Sequence, residues 1–238
     1  MSDLEYLKKY VEPNKLDESI LKLKNNIPVQ YIVGNVNFYG LKINVNENVL
    51  IPRFETEELV SRTYKYILKY FSKDIKIADI GTGSGCIAIT LKKKLPNSKV
   101  VAVDISDKAL DVARNNALEN NVEIEFLLGN LLEPIYEKQD ILISNPPYIS
   151  EDEEIEDIVK NNEPNIALYA SNKGLEFYEK ILSSCVNYLN KKNLLAFEIG
   201  ALQGEMIKKI ALKYFPQSVI KIEKDLQNRD RFVFIFNL

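Results

Sequence analysis

Apolar positions follow two different periods along this chain of 238 residues. In the first 28 residues Leu4, Leu7, Tyr10 and Val11, then Ile20, Leu21 and Leu23, recur at helical spacing. Glu12-Pro13-Asn14 divides them into two short predicted helices. Between Gln30 and Val49 the pattern changes. Tyr31, Val33, Phe38, Leu41, Ile43 and Val45 predict strands, with Gly34-Asn35 and Gly40 at turn positions. Ile51-Pro52-Arg53 predicts a loop. Leu59, Val60, Tyr64, Ile67 and Leu68 then share one face of a predicted helix over 55–71.

From Asp74 onward strand and helix signals alternate. Apolar strand runs are predicted over 75–80, 99–103, 123–128, 140–144 and 193–199, and helices over 86–95, 108–120, 174–189 and 203–214. This alternation implies right-handed βαβ units and a parallel sheet, hence an α/β fold. The last two strands, 219–223 and 231–236, are joined by a short polar connection. They predict a hairpin that brings antiparallel pairing to one edge of the sheet. No internal repeat and no low-complexity segment interrupts the pattern.

Composition narrows the function classes. A hydrophobic fraction of 46% with 27% charged residues is a globular balance. The net charge of -3 leaves no cationic excess for phosphates, which argues against a nucleic-acid grip. The runs Lys92-Lys93-Lys94 and Lys191-Lys192 are short and predict solvated faces. There is no histidine, so Ser-His and Cys-His nucleophile chemistry is excluded. The two cysteines, Cys86 and Cys185, have neither CxxC spacing nor a partner pattern, so no metal site and no disulfide framework is expected. No signal peptide and no membrane-length apolar run is visible, and the cytoplasm is the expected compartment.

Three motifs carry chemistry. The first is Asp79-Ile80-Gly81-Thr82-Gly83-Ser84-Gly85, directly after the first strand of the α/β part. Ligands bind at the carboxyl ends of such strands. The spacing is neither G-x-G-x-x-G nor a P-loop. An acid beside the glycines repels phosphate and attracts an ammonium or sulfonium group. The second is Asp104, after the strand Val100-Val101-Ala102-Val103, where an acid can accept hydrogen bonds from both hydroxyls of a ribose. Asp104 could equally cap the next helix, a task Ser106 or Asp107 could also perform. The third is Asn145-Pro146-Pro147-Tyr148, after Ile141-Leu142-Ile143-Ser144. Two prolines end the strand and remove two donors, which frees the Ser144 and Pro146 carbonyls. The Asn145 side-chain oxygen and the Pro146 carbonyl can accept the two protons of a planar NH2 group. Tyr148 offers an aromatic wall for a flat substrate and a π-face near a cationic sulfur. Phe38 is a second candidate wall, or simply hairpin core.

With these motifs the sequence resembles the HemK/PrmC family, protein-glutamine N5-methyltransferases that modify peptide-chain release factors. The resemblance runs from about Gln30 to Phe236. Gln30-Tyr31-Ile32-Val33-Gly34 and Phe38-Tyr39-Gly40 resemble the family's linker hairpin. Ile51-Pro52-Arg53-Phe54-Glu55-Thr56-Glu57 resembles its IPRPETE segment, and 225–231 its C-terminal D-x-x-G-R-D-R. The resemblance implies a Rossmann-like seven-stranded class I methyltransferase, mostly parallel, with an antiparallel edge hairpin. It implies three parts: a short N-terminal helical region over 1–28, a linker hairpin and helix over 29–73, and the methyltransferase domain over 74–238. It implies S-adenosyl-L-methionine as methyl donor, bound by Asp79, Gly81, Thr82, Gly83, Ser84, Gly85, Asp104, Asn130, Leu131 and Asn145. Asn145, Pro146 and Tyr148 are the expected catalytic residues. Pro147, Phe38 and Arg53 join them as expected substrate-binding residues. The implied partner is a class 1 release factor presenting a Gly-Gly-Gln loop, with no direct DNA binding and no membrane.

The sequence departs from the family pattern at several places. Phe54 stands for a proline, Asn130 for an acid after the third strand, and Asn228 for a glycine. Asn161-Asn162-Glu163-Pro164 lacks the usual Arg or aromatic residue. Fewer than thirty residues precede the hairpin, so a shortened docking region is expected. Alternative readings are a glutamine methyltransferase of a ribosomal protein, an adenine-N6 DNA or guanine-N2 ribosomal RNA methyltransferase, and a methyltransferase-like binding subunit. No stretch is left for a DNA target-recognition domain. The intact Asp79, glycines and Asn145 favour an enzyme over a binding subunit.

Overall fold

Successive residues of the central strands point alternately to two different cores. Ile77, Leu194, Ala196, Phe232, Phe234 and Phe236 belong to one apolar cluster. Ala78, Ile80, Leu195, Phe197, Val233 and Ile235 belong to the other. A strand buried on both faces reads as a continuous apolar run, which is why the runs at 75–80 and 140–144 are so plain in the sequence. The structure, a computed structural model, describes residues 2–71 and 74–238. The expected boundary at residue 73 therefore falls on a residue outside those described.

The described elements open with helices α1 (Asp3–Tyr10), α2 (Leu16–Lys24) and α3 (Val29–Val33). Strands β1 (Asn35–Phe38) and β2 (Leu41–Asn44) follow, then helix α4 (Phe54–Tyr70). Tyr31 and Val33, expected in a strand, lie in α3. Pro28 precedes its first turn, and Gly34 ends it in the left-handed conformation at φ 82°. A five-residue, mostly apolar run does not distinguish strand from helix, and here the flanking Pro and Gly decide. The β1–β2 hairpin turns on Tyr39 and Gly40, at φ 52° and 82°.

The sheet comprises β3 (Lys76–Ile80), β4 (Lys99–Asp104), β5 (Glu125–Leu128), β6 (Gln139–Ser144), β7 (Leu189–Glu198), β8 (Val219–Lys224) and β9 (Asp230–Asn237). Their order is β5-β4-β3-β6-β7-β9-β8, parallel through β7. The terminal hairpin forms as expected, with β9 antiparallel to both neighbours and one place in from the edge. Helices α5 (Cys86–Lys94) and α6 (Asp107–Glu119) bury Ile87, Ile89, Leu91 and Val112 in the first core together with α4 and the small hairpin. Between β6 and β7 the chain forms α7 (Asp157–Asn162), α8 (Asn165–Leu168), the turn α9 (Ser171–Gly174) and α10 (Glu176–Ser184). Helix α10 and α11 (Gly204–Tyr214) cover the second face with Tyr178, Ile181, Leu182 and Ile207. The predicted helix over 174–189 is thus α10 followed by a 3-10 turn, and α7 and α8 had no sequence signal.

The sheet order reverses at β3, whose neighbours are β4 and β6. Registers Ile80 with Val103 and Ile80 with Ser144 bring the carboxyl ends of all three strands to one edge. A crevice at such a switch point is where open α/β sheets bind ligands. No helix among the described residues is long and apolar enough to cross a membrane.

Candidate active site

A cavity of about 330 Å³ opens at that edge. Its floor is the glycine loop. The Gly81 and Thr82 amides both donate to the Val103 carbonyl at 2.9 Å, so the loop folds back over β4. Gly81 and Gly83 have φ of 70° and 55°, and a Cβ on either would meet no protein atom within 4 Å. Both line the cavity. Glycine is needed here for the left-handed backbone, and the space beside it is left to a ligand.

Asp79 is wholly buried beneath the loop. Its Oδ2 accepts from the Thr82 hydroxyl at 2.6 Å and from the Ala88 amide at 3.2 Å. Its Oδ1 has no hydrogen-bond partner among the described residues. Burial pushes its pKa up to about 7; the bonds from Thr82 and Ala88 oppose this, and Asp104 adds to it. A buried carboxylate with a vacant oxygen is costly unless a cation or donor completes it. Asp104 ends β4 and lines the cavity. Its two oxygens accept from the Gly83 and Ser106 amides at 2.8 and 2.9 Å. Each oxygen keeps a lone pair for a further donor. Ser106 caps α6 by accepting from the Ala109 amide, which leaves Asp104 to the loop and the cavity. Ser84, Asn130 and Leu131 also line the cavity, and Leu131 is held at φ 52°.

The opposite wall is built by Asn145, Pro146 and Pro147 with Ser144. The Ser144 hydroxyl donates to the Ile80 carbonyl at 2.6 Å, locking the end of β6 to β3. Asn145 Nδ2 donates to Thr56 Oγ1 at 3.2 Å, and the Thr56 hydroxyl donates to Glu198 Oε2 at 2.7 Å. Glu198 is 1% exposed at the end of β7. Burial pushes its pKa up to about 7, opposed by Thr56 and Arg231.

Five expected site residues do not line the cavity; Asp79 and Gly85 are buried behind it, and three others lie elsewhere. Phe38 is 1% exposed in the first core, as the hairpin alternation buries it against the sheet helices. The Tyr148 ring packs against the second core and its hydroxyl faces Glu198 Oε1 at 3.4 Å, so it backs the site. Arg53 pairs with the buried Glu163, whose other oxygen accepts from the Ile51 amide at 3.0 Å. This ties the 51–53 loop to the segment after β6.

Residues outside the expected set complete the site. Thr56 and Glu198 hold Asn145. Asn116, wholly buried on α6, donates to the carbonyls of Ser84 and Asn44 at 2.9 Å and accepts from the Asn44 amide at 2.8 Å. It thereby joins the glycine loop to the hairpin. Asn48, Leu50 and Pro52 add a wall from before the sheet.

A glycine loop at the sheet switch point, an acid beneath it, an acid after the next strand and an Asn-Pro-Pro wall are the parts of a methyltransferase. Residues 56–162 match the family model of the methyltransferase small domain. A methyltransferase from Pyrococcus furiosus shares the fold, with a TM-score of 0.62 at 19% identity over 93% of this chain and 97% of that one. The chain is 42% identical over 223 residues to the release factor glutamine methyltransferase of Bacillus anthracis, covering 91% of this chain and 79% of that protein. It is 46% identical over 221 residues to that of Flavobacterium psychrophilum, covering 90% and 77%. The chain belongs to the release factor glutamine methyltransferase family.

Proposed function

We propose that this enzyme transfers a methyl group from S-adenosyl-L-methionine to the side-chain amide nitrogen of a glutamine, presented on the Gly-Gly-Gln loop of a class 1 peptide-chain release factor. The observation that carries the reading is the Asn145 side chain at the cavity wall, held through its NH2 end, with no hydrogen bond to its carbonyl end among the described residues. The donor fits the residues present. The vacant Asp79 oxygen and the open space beside Gly81 and Gly83 suit a compact cationic group, and Asp104 suits a ribose.

When bound, S-adenosyl-L-methionine supplies a methyl group on a positively charged sulfur. The chain's own residues address the amide. An amide nitrogen is a poor nucleophile because its lone pair is delocalised into the carbonyl. Asn145 Oδ1 and the Pro146 carbonyl accept its two protons and orient it. They favour the pyramidal nitrogen that forms as the lone pair is used, so their bonds strengthen toward the transition state. Pro146 and Pro147 fix that backbone without offering a competing donor. Asn145 carries no charge and takes no proton, so the displaced proton leaves to water. Positioning contributes the rest of the rate.

The test is mass spectrometry of release factor after incubation with enzyme and labelled donor. A gain of about 14 Da, one CH2, is expected on the Gly-Gly-Gln peptide, with none on double-stranded DNA. Label on a ribosomal protein, DNA or ribosomal RNA and none on release factor would overturn the reading.

A further inference from the structure

Asn145, Thr56 and Glu198 come from three separate elements, 89 and 142 residues apart along their two bonds. A hydroxyl has one proton. The Thr56 proton is directed at a carboxylate, which when ionised can only accept. Thr56 Oγ1 is therefore left as an acceptor toward Asn145, and only the NH2 end of that amide can face it. The two ends of an Asn side chain have nearly the same shape. This single polarity decides whether the cavity meets a carbonyl or an NH2.

We propose that Thr56 and Glu198 are positioning residues that fix the Asn145 amide with its carbonyl oxygen turned to the substrate NH2. The inference rests on the role given to Asn145 above. The surroundings support it. Thr56 and Glu198 are 3% and 1% exposed, where a carboxylate is costly and an apolar side chain would pack at no such cost. The groups facing Glu198 come from every neighbouring element. They are Thr56 and Glu55 of α4, the Cys86 thiol of α5, the Tyr148 hydroxyl beyond β6 and Arg231 of β9. The Tyr178 hydroxyl of α10 donates to the Glu198 backbone carbonyl at 2.7 Å. Arg231 makes its ion pair with Asp225, so no cation pairs directly with Glu198 among the described residues.

The arrangement has an acid limit. A protonated Glu198 can donate to Thr56, and the Thr56 proton is then free to turn to Asn145. The amide loses its enforced orientation. Turnover falls as pH drops through the Glu198 pKa, raised by burial to about 7.

Steady-state kinetics on release factor test the proposal, with thermal unfolding run on each variant. Thr56→Val is expected to lower kcat about ten- to hundredfold with KM changed less than about threefold. Thr56→Ser restores most of that loss, because only the hydroxyl is required. Glu198→Gln removes the acid limb of the kcat profile. Wild-type kcat in Thr56→Val, loss appearing in KM alone, no recovery in Thr56→Ser, or an unchanged acid limb in Glu198→Gln would each overturn it. Should Thr56→Val not fold, Thr56→Ser and Glu198→Gln still decide. Wild-type enzyme inactive on release factor would count against the proposed function, whereas active wild-type with active Thr56→Val counts against this inference alone.

Discussion

Replacing Asp79 by Asn separates the electrostatic role of this buried acid from its structural one. The Asn carbonyl can take over the bonds from the Thr82 hydroxyl and the Ala88 amide. Its NH2 then occupies the place of the unpartnered oxygen. That unpaired neutral group costs about 1–3 kcal/mol, the same at every pH. The acid behaves differently. Its pKa rises from 3.8 to about 7 on folding, chiefly by burial. A group with a raised folded pKa holds its proton more tightly in the folded state, so stability falls as pH rises from the unfolded value to the folded one. Three pH units at 1.36 kcal/mol each give roughly 4 kcal/mol as the upper limit of that fall. Urea unfolding of the ligand-free protein between pH 4 and 8 is the assay. The stability of Asp79→Asn relative to wild type should climb by up to about 4 kcal/mol from pH 4 to 7 and then level off. Glu198 titrates in the same range and in the same direction in both proteins, so it cancels in the difference. A difference independent of pH would refute the reasoning. The converse is expected for the donor. Asp79→Asn should bind S-adenosyl-L-methionine at least about tenfold more weakly at pH 8, because an NH2 group cannot complete a cation.

Asp104→Ala should weaken donor binding by about 1–3 kcal/mol, and unchanged calorimetric affinity in a folded variant would reject the ribose assignment. Gly85→Ala should destabilise the protein by about 2–4 kcal/mol in urea unfolding. Gly85 sits at φ 81°, and a Cβ there would lie 3.1 Å from Ala113 Cβ and Ile89 Cδ1. A shift below about 0.5 kcal/mol would show that the loop relaxes freely. Asn145→Ala should lower kcat by about a hundredfold or more while the urea midpoint hardly moves; a raised KM at normal kcat would reduce Asn145 to a binding residue.

The sheet was legible because burial on both faces turns each central strand into an apolar run, and because Pro96, Pro146 and Pro147 punctuate it. The floor of the site was legible for a related reason. Its residues are consecutive, so Asp79 to Gly85 can be recognised as one string. Thr56, Glu198 and Asn116 act through partners brought near only by folding, and no period in the sequence marks a pair 142 residues apart. One signal was available. Glu198 ends β7 as Asp104 ends β4, and Asp79 is the last residue but one of β3, so three parallel strands each carry an acid at their carboxyl end. Phe38 and Arg53 lie outside the cavity lining. Their residue types suit a substrate pocket, but hairpin alternation buries the first and Glu163 claims the second.

The segment before the sheet belongs to the site's construction. The family-model match begins at residue 56, yet Asn48, Val49, Leu50 and Pro52 line the cavity. The stretch from Asn44 to Ile51 is held from elsewhere. The Tyr31 hydroxyl donates to the Val49 carbonyl at 2.7 Å, Glu163 binds the Ile51 amide, and Asn116 fixes Asn44. These bonds span 18, 112 and 72 residues, so they connect the helical start, the α7–α8 segment and the glycine loop to one short stretch. Were that stretch absent, the cavity that Asn145 and Thr56 line would lose one wall and open to water. Hydrogen bonds to a reacting amide are stronger in a dry, preorganised site than against bulk solvent. If Asn145 acts as proposed, the hairpin and its following loop raise its effectiveness by holding the wall in place, and a change at Tyr31 or Glu163 is expected to lower kcat in steady-state assays.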